Sequence, residues 1–120
     1  MIKNLLDETR QLLEDNGLSL DDIEAVFGED FQIPVAEFLR LAGETAYEAS
    51  YGRQWVAGDL TVLLKGGDWL TRGEYDGSEW WDFHRRPSPP VREVQQLRRL
   101  TSVSGWETLA GCNQTEEEQK

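Results

Sequence analysis

The chain has 120 residues, with 12 Lys or Arg, 23 Asp or Glu and one His, for a formal charge of −11. That length suits one domain, and the acidity argues against direct DNA or RNA binding, which needs clustered Lys and Arg against phosphate. One cysteine, Cys112, forms no internal disulfide and excludes a four-cysteine zinc site. No metal or cofactor is expected, since a catalytic zinc would have to rest on carboxylates.

Apolar residues make up only 38 %, but five Trp, four Phe and three Tyr compensate with area; each aromatic buries on the order of 150–250 Å². No apolar run approaches about 20 residues, and the N-terminus lacks a basic-then-apolar signal. The expectation is a soluble protein of the cytoplasm with no membrane association. Charge is unevenly spread: residues 1–52 carry −9, 53–83 carry −3, 84–106 carry +4 and 107–120 carry −3. An acidic head and a basic late segment can attract each other or meet different partners.

The first third reads as helical. Ile2, Leu5, Leu6, Thr9, Leu12 and Leu13 recur at three- and four-residue steps, and Asn16-Gly17 supplies a left-handed stop. Ser19 and Asp22 form a capping-box variant, with Leu18 and Ile23 placed as a hydrophobic staple. A second helix burying Leu20, Ile23, Val26 and Phe27 is expected to end at Gly28. Pro34 suits the first turn of a third, with Val35, Phe38, Leu39 and Ala42 buried and Gly43 ending it. Thr45 to Ser50 either extends that helix or adds an edge strand.

After Gly52 the period changes. Leu60 to Leu64, Trp69 to Tyr75 and Ser78 to His84 read as strands of an antiparallel meander, joined at Gly66-Gly67 and Asp76-Gly77. Pro87, Pro89 and Pro90 close the sheet, and Val91 to Leu100 is expected as a last, basic helix. Residues 1–113 are read as one domain and 114–120 as a disordered acidic tail.

Two-residue turns would set Glu74 opposite Glu79, Gly73 opposite Trp80 and Arg72 opposite Trp81, and would set Leu63 opposite Leu70. Leu63, Leu70, Arg72, Trp81 and Phe83 then share one face, and Leu60, Val62, Leu64, Trp69 and Trp80 the other. A one-residue bulge would exchange them. Trp80 and Trp81 must point oppositely. One is then a core residue, and the other either covers Gly73 or the sheet edge or stands exposed as a binding anchor. Glu74 and Glu79 are a like-charge pair. Either both point into water, or Arg72 neutralises one, or they face a basic partner or hold a hard cation, or they form a glycosidase-type acid/base pair. His84 and Cys112 read as structural. Asp7, Glu8, Asp21, Asp22, Glu24, Glu29 and Asp30 form either a solvated acidic face or a surface that imitates a row of phosphates.

The run Gly67-Asp68-Trp69-Leu70-Thr71-Arg72-Gly73-Glu74-Tyr75-Asp76-Gly77-Ser78-Glu79-Trp80-Trp81-Asp82-Phe83 resembles a W-L-x-R-x-E-Y-D-G-S-E-W-W-x-[FY] block in small acidic proteins of bacteriophages and prophages. The likeness extends loosely back through Tyr47, Tyr51-Gly52 and Asp59-Leu60 to Phe38-Leu39. The basic segment and tail lie outside it. It implies a mobile-element protein acting inside a bacterial cell, and it brings no site residues with it.

The expected fold is α+β: acidic N-terminal helices packed on a three- or four-stranded antiparallel meander, plus a C-terminal helix. The expected function is non-enzymatic binding of a host or phage protein with a basic surface, in its sharper form as a nucleic-acid mimic such as an anti-CRISPR. The binding residues expected are Asp21, Asp22, Glu24, Glu29, Asp30, Glu74, Glu79, Trp80 and Trp81. A self-associating assembly protein (a homo-oligomer) and a carboxylate-based or metal-dependent enzyme are the alternatives.

Overall fold

The computed structural model describes residues 1–50, 52–93 and 96–114. Contacts divide the chain into two compact units, the first Met1–Pro87 and the second beginning at Ser88. The fold is α+β, and its main sheet is antiparallel throughout.

In the first unit, β1 (Ile2–Asn4) leads directly into helix α1 (Leu5–Asp15). The helix does not begin at Ile2 as its apolar spacing suggests. The Asn4 side chain accepts the Asp7 N–H at 3.1 Å, which caps the helix there. At the far end Gly17 takes a φ of +74°, and the Leu18 N–H returns to the Leu13 carbonyl at 2.8 Å, a glycine stop of the Schellman kind.

The capping box at Ser19 and Asp22 forms, but it opens only a single 3-10 turn, Leu20–Asp22. The expected second helix is instead strand β2 (Ile23–Phe27). Its pairing partner, β5 (Thr61–Leu64), explains the misleading spacing. Ile23 stands opposite Leu64 and Ala25 opposite Leu63, so Glu24 is an inserted, bulged residue. The bulge puts Ile23 and Val26, three positions apart, on the same buried face, and a one-residue insertion thereby imitates helical periodicity.

Strand β3 (Gln32–Ile33) folds back on β2, and helix α2 (Val35–Gly43) follows Pro34 as expected. The ambiguous stretch contains strand β4 (Ala46–Glu48). It pairs with β1 in a separate two-stranded sheet, not with the meander.

Strands β6 (Trp69–Tyr75) and β7 (Ser78–His84) complete a five-stranded sheet of order β3-β2-β5-β6-β7. Their register is the expected one, from Tyr75 opposite Ser78 to Trp69 opposite His84. Asp76 and Gly77 have φ of 51° and 87°, which the primed two-residue turn requires. The other hairpin differs by one residue. Lys65 joins Gly66 and Gly67 in the loop: the Gly67 N–H bonds to the Leu64 carbonyl and the Leu64 N–H to the Asp68 carbonyl, both at 2.9 Å. Val62 therefore faces Leu70, and Leu63 faces Trp69. The shift moves Val62 and Leu64 to the face of Leu70, exchanging the faces expected for β5.

That face is the core. Leu13, Val26, Val62, Leu64 and Leu70 are all at most 1 % exposed. Phe38 and Ala42 of α2 and Leu5 and Thr9 of α1 are buried with them. Both long helices lie on this side, α1 against β7 and α2 against β2.

In the second unit the expected helix Val91–Leu100 is absent among the described residues. Val94 and Gln95 lie outside them, as do residues 115–120 of the expected tail. Val91, Leu97 and Leu100 are exposed, so the apolar stripe has no surface to stabilise a helix by packing. Instead Asn113 Oδ1 accepts the N–H groups of Arg98 and Arg99 at 2.8 and 3.0 Å. Among the described residues of this unit there is a single helical turn, α3 (Leu109–Cys112), with Cys112 buried. No helix among the described residues is long and apolar enough to cross a membrane.

Candidate functional site

The most concentrated chemistry lies under the β6–β7 hairpin. Alternation puts Arg72 on the core face beside Leu70, across from Trp81. Its guanidinium is completely shielded from solvent. Nη2 donates to Glu79 Oε1 at 3.1 Å and to the Tyr47 hydroxyl at 3.0 Å, and Nη1 donates to Glu8 Oε1 at 3.2 Å. The Tyr47 hydroxyl in turn donates to the other oxygen of Glu8. The guanidinium carbon lies 4.7 Å from the centre of the Trp81 ring, a desolvated cation–π contact. Trp81 Nε1 donates to Thr9 Oγ1 at 2.9 Å. Among the described residues, Arg72 Nε has no hydrogen-bond partner.

Glu79 is 1 % exposed and fully engaged. Besides Arg72 it accepts the N–H groups of Trp55 and Val56 at 2.6 and 3.1 Å. Burial pushes the Tyr47 phenol well above its usual range; its bond to Glu8 adds to this, and Arg72 opposes it. Burial works against the charge on Arg72, yet Tyr47, Glu8 and Glu79 outweigh it and leave the guanidinium more firmly protonated. The cluster ties α1, β4, the loop through Val56 and the β6–β7 hairpin into one body.

The residues expected to bind a partner do not form one surface. Asp21 and Asp22 precede β2, Glu24 is its second residue and Glu29 and Asp30 lie just beyond its end, so the strand, about 17 Å long, separates Asp21 and Asp22 from Glu29 and Asp30. Glu74 and Glu79 are directly opposed in the ladder but diverge in role. Glu74 is exposed and accepts the Gly77 N–H of the turn at 2.9 Å, whereas Glu79 turns inward. Trp81 is core. Trp80, 37 % exposed, lies over Gly73 on the opposite face, and a Cβ at Gly73 would fall 2.5 Å from its Nε1. On that outer face His84 stacks on Trp69 at 5.1 Å and comes within 2.7 Å of Thr71 Oγ1.

The inward turn of Glu79 was readable in principle. It stands two positions before Trp81, on the face where Arg72 needs a counter-charge. Glu8 and Tyr47 carry no such signal, because their meeting with Arg72 depends on tertiary packing.

Where α1 passes the edge of β7 there is a groove of about 490 Å³, lined by Lys3, Asp7, Gln11 and Asp15 on the helix side and by Trp80 and Trp81 on the strand side. Among the described residues, no group of three or more His, Cys, Asp or Glu side chains is placed to hold a metal ion. Comparison with protein-family models, curated proteins and solved structures returns no match.

Proposed function

We propose that the chain is a non-catalytic acidic binding protein that docks on a basic protein surface, and that it acts in a phage or prophage setting. The observation that carries this reading is the disposition of the carboxylates. Asp21, Glu24, Glu29, Asp30 and Glu74 are exposed, and none is in an ion pair among the described residues. Among the described residues the one fully buried acid, Glu79, is saturated by Arg72 and two backbone N–H groups. Residues 1–87 hold 18 acids against eight bases. Uncompensated surface charge of one sign accelerates encounter with an oppositely charged partner and makes binding fall with salt.

The sharper form of the reading is an inhibitor of a nucleic-acid-handling machine, such as an anti-CRISPR, whose acids enter a cationic groove. The test is capture from a bacterial lysate at low and high salt, with bound proteins identified by mass spectrometry. Capture should fall steeply with salt and be abolished by Asp21→Lys, Asp22→Lys and Glu24→Lys together. Capture that ignores both changes overturns the reading.

A second reading, self-association, is favoured by the outer sheet face. Leu63, Trp69 and Trp80 lie there, opposite the face that α1 and α2 cover. Trp80→Ala should then lower the molar mass seen by light scattering.

A further inference from the structure

We infer that the exposed segment Arg85–Arg92 is a polyproline II ligand for a protein domain whose aromatic-lined groove ends in a carboxylate. The inference stands apart from the acidic-binding reading, because it uses a different segment and the opposite charge.

The sequence carries the first observation. Three of the four prolines fall at 87, 89 and 90, and Pro87-Ser88-Pro89-Pro90-Val91-Arg92 has the spacing P-x-x-P-x-R. Pro87 is enough to stop the ladder that ends at His84. Pro89 and Pro90 have no strand left to end. Each ring holds its own φ at about −65°, and a following proline drives Arg86, Ser88 and Pro89 to extended backbone. Residues 86–90 are thus biased covalently toward polyproline II.

The structure carries the second. Residues 85–93 are all exposed and lie outside any helix or strand. The Arg86 N–H bonds to Asp68 Oδ1 at 2.6 Å, which fixes where the segment leaves the sheet. From Pro87 to Glu93 no backbone group has a hydrogen-bond partner among the described residues. A solvated backbone of this kind is what polyproline II presents, and its preset conformation lowers the entropy lost on binding.

Geometry and charge choose the occupant. At about three residues per turn, Pro87 and Pro90 share one ridge, and Arg86, Pro89 and Arg92 the next. Arg85, Ser88 and Val91 form the third. The first two ridges offer the pairs Arg86-Pro87 and Pro89-Pro90 to slots between aromatic rings, with Arg92 placed beyond them for a carboxylate. The free chain bends at Val91, so Arg92 comes into line on binding. Arg85, Arg86 and Arg92 form no ion pair among the described residues, and no acid lies between them. Arg85 is instead stacked over Phe83 at 5.3 Å.

The test titrates the isotope-labelled full chain with a purified SH3 domain whose groove ends in a carboxylate pocket, followed by NMR and calorimetry. Binding should saturate, with amide shifts centred on Ser88, Val91 and Arg92. Pro87→Ala with Pro90→Ala should weaken it about tenfold or more, and Arg92→Ala about tenfold, the value of a charge-assisted hydrogen bond. Arg85→Ala, on the ridge that faces away, should leave affinity within about twofold. These side chains are exposed, so the variants keep the fold, which circular dichroism checks.

Absence of binding at about 1 mM domain overturns the proposal. Binding that survives the double proline change and disappears in salt is charge attraction alone, and overturns it too. So does self-association of the chain that the double proline change abolishes, which assigns the segment to a second copy. Salt-sensitive capture by the acidic surface is measured separately and is indifferent to all of these outcomes.

Discussion

Arg72 and Glu79 meet at 3.1 Å beneath the β6–β7 hairpin, with both side chains fully shielded from solvent. They are diagonal neighbours on one sheet face: Arg72 stands opposite Trp81, and Glu79 two residues before it. A buried ion pair contributes little net stability relative to apolar packing, but removing one partner strands the other charge. Glu79→Gln should therefore destabilise the first unit by about 3–5 kcal/mol. Glu74→Ala, at the exposed end of the same ladder, should cost about 1 kcal/mol, the worth of one hydrogen bond. Urea titration of both variants checks the contrast, and equal losses would show that the buried pair carries no special weight.

Gly73 has no room for a side chain. An added Cβ meets Trp80 Nε1 at 2.5 Å and Asp82 Oδ2 at 2.6 Å. Gly73→Ala should cost about 1–3 kcal/mol by overpacking, and less in a Trp80→Ala background. A double-mutant cycle should return a coupling of about 1 kcal/mol or more between these two positions.

The hairpin tip rests on backbone geometry. Gly77 has a φ of 87°, and Gly77→Ala should destabilise by about 1–2 kcal/mol, the penalty for an L side chain in the left-handed region. Asp76, at 51°, can be replaced by Asn at almost no cost, because Asn tolerates the same conformation. Thermal melts of the two variants separate the effects.

Tyr47 predicts an alkaline limit to stability. Its phenol is raised above the ordinary 10.0 by burial first and then by Glu8. A group whose folded pKa exceeds its unfolded value stabilises fully below the unfolded pKa and loses that contribution as pH rises toward the folded one. Stability should thus fall as pH rises above about 10. The slope should flatten in Tyr47→Phe, as a urea titration of both proteins at stepped alkaline pH would show.

How much of this was legible in the chain depends on where local chemistry decides. Asp76-Gly77 fixes both turn type and register, so every pair from Tyr75–Ser78 to Trp69–His84 follows from the dipeptide. Gly66-Gly67 is less definite, because a three-residue loop with Gly67 at a φ of 96° satisfies the same glycines and shifts β5 by one. Strand β2 was hidden by its own bulge at Glu24. The region around Leu97 and Leu100 shows the converse: an apolar stripe at helical spacing stays irregular and exposed there. As for the site, Asp21, Asp22 and Glu24 were expected on a helix and stand instead on a 3-10 turn and on strand β2. The α1–β7 groove depends on which helix passes which edge, and no local pattern encodes that.

Trp81 reaches back 72 positions to Thr9, and Arg72 reaches back 64 to Glu8. During synthesis helix α1 emerges before the β6–β7 hairpin, so Tyr47 is available to Glu8 early, whereas Arg72 and Trp81 arrive only with the hairpin. Contacts of such long sequence separation slow folding. The buried side of the helix is therefore completed only when the last strands arrive.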